Sequence, residues 1–445
     1  MIWAVAEGFS LTVGARRSSP NDPLGPVPSR RGGPVRVALL LLLALVAAAC
    51  SSTPATSSSG GGAEPAATTV ATTQSAPQAV QYFPIWVDFP APGQAWGLFW
   101  EQYSAQGCAM VVAHQGSPGV FVSPATFGHF VCGNSMAVAE VVSDGRGDVL
   151  AYGPELYISH DAGKSFTRVP QPGGVLALSA VGSSIWMLEA LCPSSAAQSA
   201  AVLCPLGLFT SNDGGRSFAV DSHLPAIEVG SGSVLMQGAG LHPNWLQRPS
   251  AGVGYVFVPP LGGATPGAPA RTGESVYRSA DGGASWTRSS IAGCAAGMYG
   301  DASVNPQGQA MVICGGQPSA GYQPKSVFVS PGDGLQWEAR FDCLGLGSSC
   351  GSARLNNGYL GLVAYISPTT AFAGGGRSQL LVSHDGGVSW QLVPGVGYNG
   401  DTYSAAFFGS LGYVFGDDGS VSQGYIWTTT DSGVQWNRTA VRIAG

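Results

Sequence analysis

Downstream of residue 83 the apolar residues of this chain fall in short bursts bounded by Gly, Asp, Ser and Pro. That pattern predicts strands of roughly four to eight residues and no long amphipathic helix. The bursts come in pairs, such as Leu176–Val181 then Ser184–Ala190, and Leu360–Ser367 then Thr370–Gly375. After each pair a polar phrase returns, Ser/Thr-x-Asp-x-Gly-x-Ser-aromatic. It is complete at Ser159/Asp161/Gly163/Phe166, Ser211/Asp213/Gly215/Phe218, Ser279/Asp281/Gly283/Trp286 and Ser383/Asp385/Gly387/Trp390. Two copies depart from it. Ser330/Gly334/Trp337 has its acid one place late, at Asp333, and Thr429/Asp431/Gly433/Trp436 has Gln435 in place of the second Ser.

Each phrase lies between two β-rich runs. Its Asp-Gly or Gly-Gly centre supplies the positive φ that tight hairpin turns need. Short Ser and Asp side chains can hold such a turn by accepting nearby backbone N–H groups. The closing aromatic is large enough to wedge one hairpin against its neighbour. A turn that repeats every ~50 residues marks a repeat architecture. One further step back reaches residues 109–122, where Gln115 would stand in the Asp position, which makes seven units. Four short strands per unit, repeated radially, predict an all-β fold: a single seven-bladed β-propeller over residues 83–445.

The phrase resembles the Asp-box, or BNR repeat, of sialidases, sortilin-like receptors, some glycoside hydrolases and photosystem-II assembly factors. In those families the box is a turn-stabilising element away from the ligand face. The resemblance thus implies structural roles for Asp161, Asp213, Asp281, Asp333, Asp385, Asp431 and for Trp286, Trp337, Trp390 and Trp436. It is architectural and covers residues 83–445.

The start of the chain reads differently. Arg30, Arg31 and Arg36 precede an apolar run, Val37–Ala49, followed at once by Cys50. Thirteen apolar residues suit a secretory signal better than a membrane span. Ala47-Ala48-Ala49-Cys50 resembles a bacterial lipobox, in which the Cys thiol takes a diacylglycerol and becomes the mature N-terminus; Leu is commoner at the place of Ala47. Residues 1–49 are then a leader, with 1–34 an overextended start or a basic region. Residues 50–82, rich in Ser, Thr, Ala, Gly and Pro, form a tether that cannot build a core. Its root-mean-square span is about 30 Å. These features predict an exported lipoprotein on the outer face of a bacterial membrane, with simple secretion as the alternative.

Nine cysteines less Cys50 leave eight, an even number in an exported chain. Their separations suggest Cys108–Cys132, Cys192–Cys204, Cys294–Cys314 and Cys343–Cys350, although eight cysteines allow 105 pairings. With strands lettered a to d from the axis outward, the repeated turn joins c to d on the lower face. All eight cysteines then map to the b–c and d–a connections of the upper face. So do the longest insertions, Leu191–Leu206, Pro259–Glu274 and Gly315–Lys325. Disulfide-held loops gathered on one face of a ring suggest a binding surface.

Removing residues 1–49 takes away five Arg and two acids, leaving 14 basic against 23 acidic residues, a net charge of −9. With no basic run, a nucleic-acid partner is not expected. No Cys-x-x-Cys pair or phosphate-cradling glycine loop points to a metal or cofactor, and none is expected. The chain is expected to be a monomer.

Two functions follow from the resemblance. Sialidase-like glycoside hydrolases clamp a carboxylate with three arginines beside a Tyr nucleophile with its Glu partner and an Asp acid/base. Their first arginine precedes the first box, yet no Arg occurs here between Arg36 and Arg146. Arg248, Arg354 and Arg377 are the remaining recruits. The photosystem assembly factors and their relatives have seven blades, bind protein partners and catalyse nothing. Blade number and size fit this second group better, and a non-catalytic platform for a protein or glycan partner is the preferred expectation. The candidate ligand residues, placed in d–a loops, are Tyr299 and Asp301, Arg354 and Asn356, and Tyr398, Asp401 and Tyr403.

Overall fold

The computed structural model describes residues 80–104, 106–132, 139–153, 155–191, 203–230, 245–258, 274–294, 299–344, 354–377, 379–397, 400–419 and 423–444. All lie in one compact unit, residues 74–445. Among them are seven antiparallel sheets and no α-helix. The sheets span residues 81–131, 140–169, 174–220, 246–291, 299–342, 362–392 and 402–440, and are numbered here as blades one to seven. Each has four strands in chain order, and Glu228–Gly230 also pairs with the third strand of blade three. Their first strands touch one another in succession, and that of blade seven touches Gln81–Ala91 of blade one, closing the ring. The fold is a seven-bladed β-propeller.

No strand is exchanged between the first and last blades. Closure instead adds a short strand, Arg442–Ile443, in parallel beside Val120 and Phe121 on the outer edge of blade one. Arg442 N–H donates to Gly119 O at 2.9 Å and Ala444 N–H to Phe121 O at 2.8 Å.

The core is divided by interface. Among the described residues seven apolar clusters each join two neighbouring blades. The aromatic that ends each repeated phrase packs onto the blade before it. Phe166 stacks on Phe127 at 4.2 Å, Trp286 lies 5.6 Å from Trp186, and Trp436 meets Phe372 edge-on at 6.0 Å. Trp390 joins the Met311, Val327 and Val329 cluster of blade five, Trp337 that of Tyr255 and Phe257 in blade four, and Phe218 that of Leu150 and Ile158 in blade two. Burying one such ring removes about 150–250 Å² from water, enough to dominate each seam.

Blade one departs from the repeat. Gln115 does not occupy an Asp-type turn: it pairs with Phe121 inside the ladder, and the hairpin closes later, around Pro118 and Gly119. Gly119 takes φ 73°, the left-handed conformation a tight turn needs. The missing acid is replaced by a shorter turn that needs no side-chain clasp.

Candidate functional site

Four of the six repeated turns share one full set of bonds, and the other two keep part of it. In blade two, Ser159 Oγ donates to Asp161 Oδ1 at 2.7 Å and accepts Gly163 N–H at 2.8 Å. Ser165 donates its N–H to Asp161 Oδ1 at 2.9 Å and its hydroxyl to Oδ2 at 2.6 Å. Asp213, Asp281 and Asp385 repeat all four contacts. Both carboxylate oxygens are used inside the turn. The Ser165 and Ser217 hydroxyls, foremost, hold Asp161 and Asp213 well below the usual carboxylate range; Asp281 falls to about 2, led by Ser285. Asp431 keeps the Thr429 bond and is lowered foremost by the N–H of Gln435, which supplies no hydroxyl. Asp333 accepts Leu335 N–H at 2.9 Å, and Gly334 N–H bonds Ser330 Oγ directly.

On the opposite face two disulfides are described, Cys108–Cys132 and Cys294–Cys314. Cys204 and Cys343 are also disulfide-bonded; Cys192 and Cys350, the partners expected for them, lie outside the described residues, as do Cys50 and Tyr398. The one group with metal-ligand spacing among the described residues is Glu274 with Cys294 and Cys314. Its two sulfurs are bonded to each other and offer no thiolate.

The upper ends of blades five to seven are joined in one hydrogen-bonded rim. Its centre is Lys325, 2% exposed, whose ammonium donates to Leu355 O at 2.8 Å and Gly358 O at 3.0 Å. Burial pulls its pKa down to about 7. Asn356 Oδ1 accepts Lys325 N–H at 2.9 Å, and Gln323 Oε1 accepts Leu360 N–H at 2.8 Å. Gly321 N–H donates to the Tyr359 hydroxyl at 3.2 Å, and Tyr359 N–H to Gly376 O at 2.7 Å. The Arg377 guanidinium lies over the Tyr359 ring at 5.7 Å. Arg377 itself is held at φ 58° with its N–H on Asp401 Oδ1 at 3.1 Å. Asp401 N–H in turn donates to Asp417 Oδ1 at 3.0 Å, and the Tyr403 hydroxyl to Asp417 Oδ2 at 2.5 Å. Burial, then the Asp417 charge, raise Asp401; burial, then both acids, raise Tyr403. Arg354, Asn357 and Arg377 are exposed along this rim, with Tyr322 and Tyr359 half-buried.

Several candidates are corrected by this geometry. Tyr299 and Asp301 lie in the inner strand Tyr299–Val304, and Tyr403 in the inner strand Thr402–Phe408, rather than in loops. The alternation of those strands continues through the polar residues. Asp301 is 3% exposed, near Glu274, whose carboxyl is pushed well up by burial first and by Asp301 second. Asn356 is fully buried as a brace for Lys325. Of the candidates among the described residues, Arg354 is exposed at the start of a 3-10 turn and Asp401 is partly exposed in a loop.

The three arginines do not converge. Arg248 is 9% exposed in the inner strand of blade four, near its lower a–b turn, with its guanidinium 4.2 Å above the Trp186 ring of blade three and bonded to Ser184 O and Oγ at 3.0 Å. Arg354 and Arg377 belong to the upper face. Lys325, Gln323, Asp417, Tyr322 and Tyr359 were not among the candidates. Lys325 did carry a signal, as one of only two lysines in the chain.

No family model matches this chain, and no curated protein matches it. Solved structures do. One described as YCF48 bound to D1 peptide aligns with TM-score 0.43 and 15% identity, over 76% of this chain and 92% of that one. YCF48 from Cyanidioschyzon merolae aligns with TM-score 0.46 and 14% identity, over 77% and 95%. A GH74 enzyme of Niastella koreensis aligns with TM-score 0.43 and 12% identity, over 80% of this chain and 59% of its own.

Proposed function

We propose that this chain is a non-catalytic binding or assembly protein, exported and lipid-anchored through Cys50, that takes a protein or glycan partner on its upper face. In this reading the six lower turns are Asp boxes that stiffen the ring. The observation that supports it is the continuous rim across blades five to seven, which holds Arg354, Arg377, Tyr322 and Tyr359 on one braced surface. Arg248, bound on the other face, argues against a three-arginine clamp.

The test is capture of partners from a membrane fraction by the full-length protein, beside an assay on a fluorogenic sialoside. A defined partner retained by the wild type and lost by Arg354→Ala/Arg377→Ala supports the proposal, since both side chains are exposed and the fold should survive. Sialoside turnover abolished by changing any of the three arginines would overturn it. Mass spectrometry tests the anchor: a diacylglyceryl group on Cys50, absent in Cys50→Ala, is the expected result.

A further inference from the structure

Between blades one and two, on the lower face and away from the rim, a cleft of about 520 Å³ opens beside Trp96. Its origin is local. Elsewhere the aromatic near the start of a second strand is covered by the next blade: Trp186 by Trp286 and Arg248, and Phe372 by Trp436. In blade two the closing aromatic, Phe166, stacks on Phe127 of the outer strand instead. Trp96 keeps Gly163 against part of its ring, where a Cβ would come within 2.5 Å, and stays half-buried.

The outer hairpin of blade one recedes from the cleft. Val112 pairs with Ala125 and His114 with Val122, so Ser123 and Pro124 bulge out against a single opposing residue. Proline tolerates this position because a bulge needs no ladder N–H there. Ser123 adopts φ 52°, a costly conformation for a residue other than glycine. Bulges of this kind re-aim side chains at functional positions.

Four polar residues line the cleft: His114, whose imidazole lies 5.7 Å from the indole between ring centres, Gln115, Ser123 and Lys164. Among the described residues none of the four is hydrogen-bonded to another protein group, whereas the Asp and Ser of the adjacent turn are fully engaged. A flat aromatic face ringed by free donors and acceptors in a wide cleft complements a pyranose ring. Its axial C–H groups pack on the indole while its hydroxyls meet the rim. A peptide side chain would need a deeper apolar floor than one indole with Pro124 and Ala125.

From this geometry we infer that the cleft is a saccharide-binding site for a pyranose unit, independent of the upper face. The experiment follows the Trp96 indole N–H resonance of the full-length protein in detergent. Glucose, galactose, N-acetylglucosamine and glucuronate are each titrated, alongside an equimolar mixture of unrelated peptides. At least one sugar should shift that resonance saturably. Lys164→Ala and His114→Ala should each weaken binding by about five-fold, the loss of one hydrogen bond, with an unchanged melting temperature. Ser123→Gly, which relieves the left-handed backbone, should weaken binding while leaving the fold at least as stable. No saturable shift with any sugar, binding indifferent to these variants, or a saturable shift from the peptides would overturn the inference.

Discussion

At the residue scale, the two faces handle carboxyl groups in opposite ways, and pH separates them. Asp161, Asp213, Asp281, Asp385 and Asp431 lie below the ordinary carboxylate range, so their contribution is present above the unfolded carboxylate pKa of about 4 and is lost as pH falls through the folded value. Asp213→Ala should therefore lower the melting temperature at pH 7 and have progressively less effect as the medium is acidified. Glu274 behaves in reverse. Its folded pKa is raised, so the native state holds a proton that the unfolded chain releases, and stability falls as pH rises above about 4 toward the folded value. Glu274→Gln keeps the shape without the charge. It should be more stable than the parent at pH 8 and equal to it at pH 4, measured by denaturant melts at both. Lys325 also favours alkaline conditions: its pKa is depressed to about 7, so between that value and the unfolded lysine value the unfolded chain binds more protons and stability rises with pH.

At the scale of elements, the repeated turns were legible because each carries its own chemistry within seven residues, and a Ser, an Asp and a Gly at fixed offsets are enough to close it. The rim was not legible in the same way. Lys325 meets Leu355 and Gly358 only after a whole outer hairpin has intervened, and Asn356 looks like a turn residue until Lys325 is placed beside it. Polar residues at strand ends, such as Asp301 and Tyr403, read as loop because composition does not reveal that a buried partner awaits them. The hairpin of blade one was misread for a related reason: Pro118 and Gly119 perform by backbone geometry what Asp does elsewhere by side chain. The disulfides belong to this scale too. Cys294 and Cys314 are both fully buried and tie the end of blade four to blade five across 20 residues of sequence. Replacing both by Ala should cost about 2–4 kcal/mol, as for a native bridge closing a short loop. Equilibrium unfolding of the variant beside the parent, both without reductant so that the remaining bridges stay closed, checks this.

At the scale of the whole unit, the ring is held by seven similar seams and one dissimilar latch. The latch is small: two backbone hydrogen bonds and Ile443 against the cluster that joins blades seven and one. A chain ending at Val441 should lose about 1–3 kcal/mol. For a unit of this size that corresponds to a fall of only a few degrees in melting temperature, which calorimetry resolves. A collapse of the transition would mean that the inner strands of blades one and seven do not hold closure by themselves.

Because the four chain-order strands of every blade come from one stretch, with only the short Arg442–Ile443 latch added from elsewhere, the blade is also the natural unit of inheritance. Copying or losing about fifty residues at any blade from two to seven, the period of the repeat, would add or remove one whole sheet of four strands. The aromatic that reaches back to the preceding blade makes each unit compatible with any predecessor presenting a similar ring, such as Trp186 or Phe372. The unmatched seam between blades one and two, where Phe166 turned aside and Trp96 was left half-exposed, is the kind of imperfect join from which a lineage of duplicated parts acquires a new pocket without altering its frame.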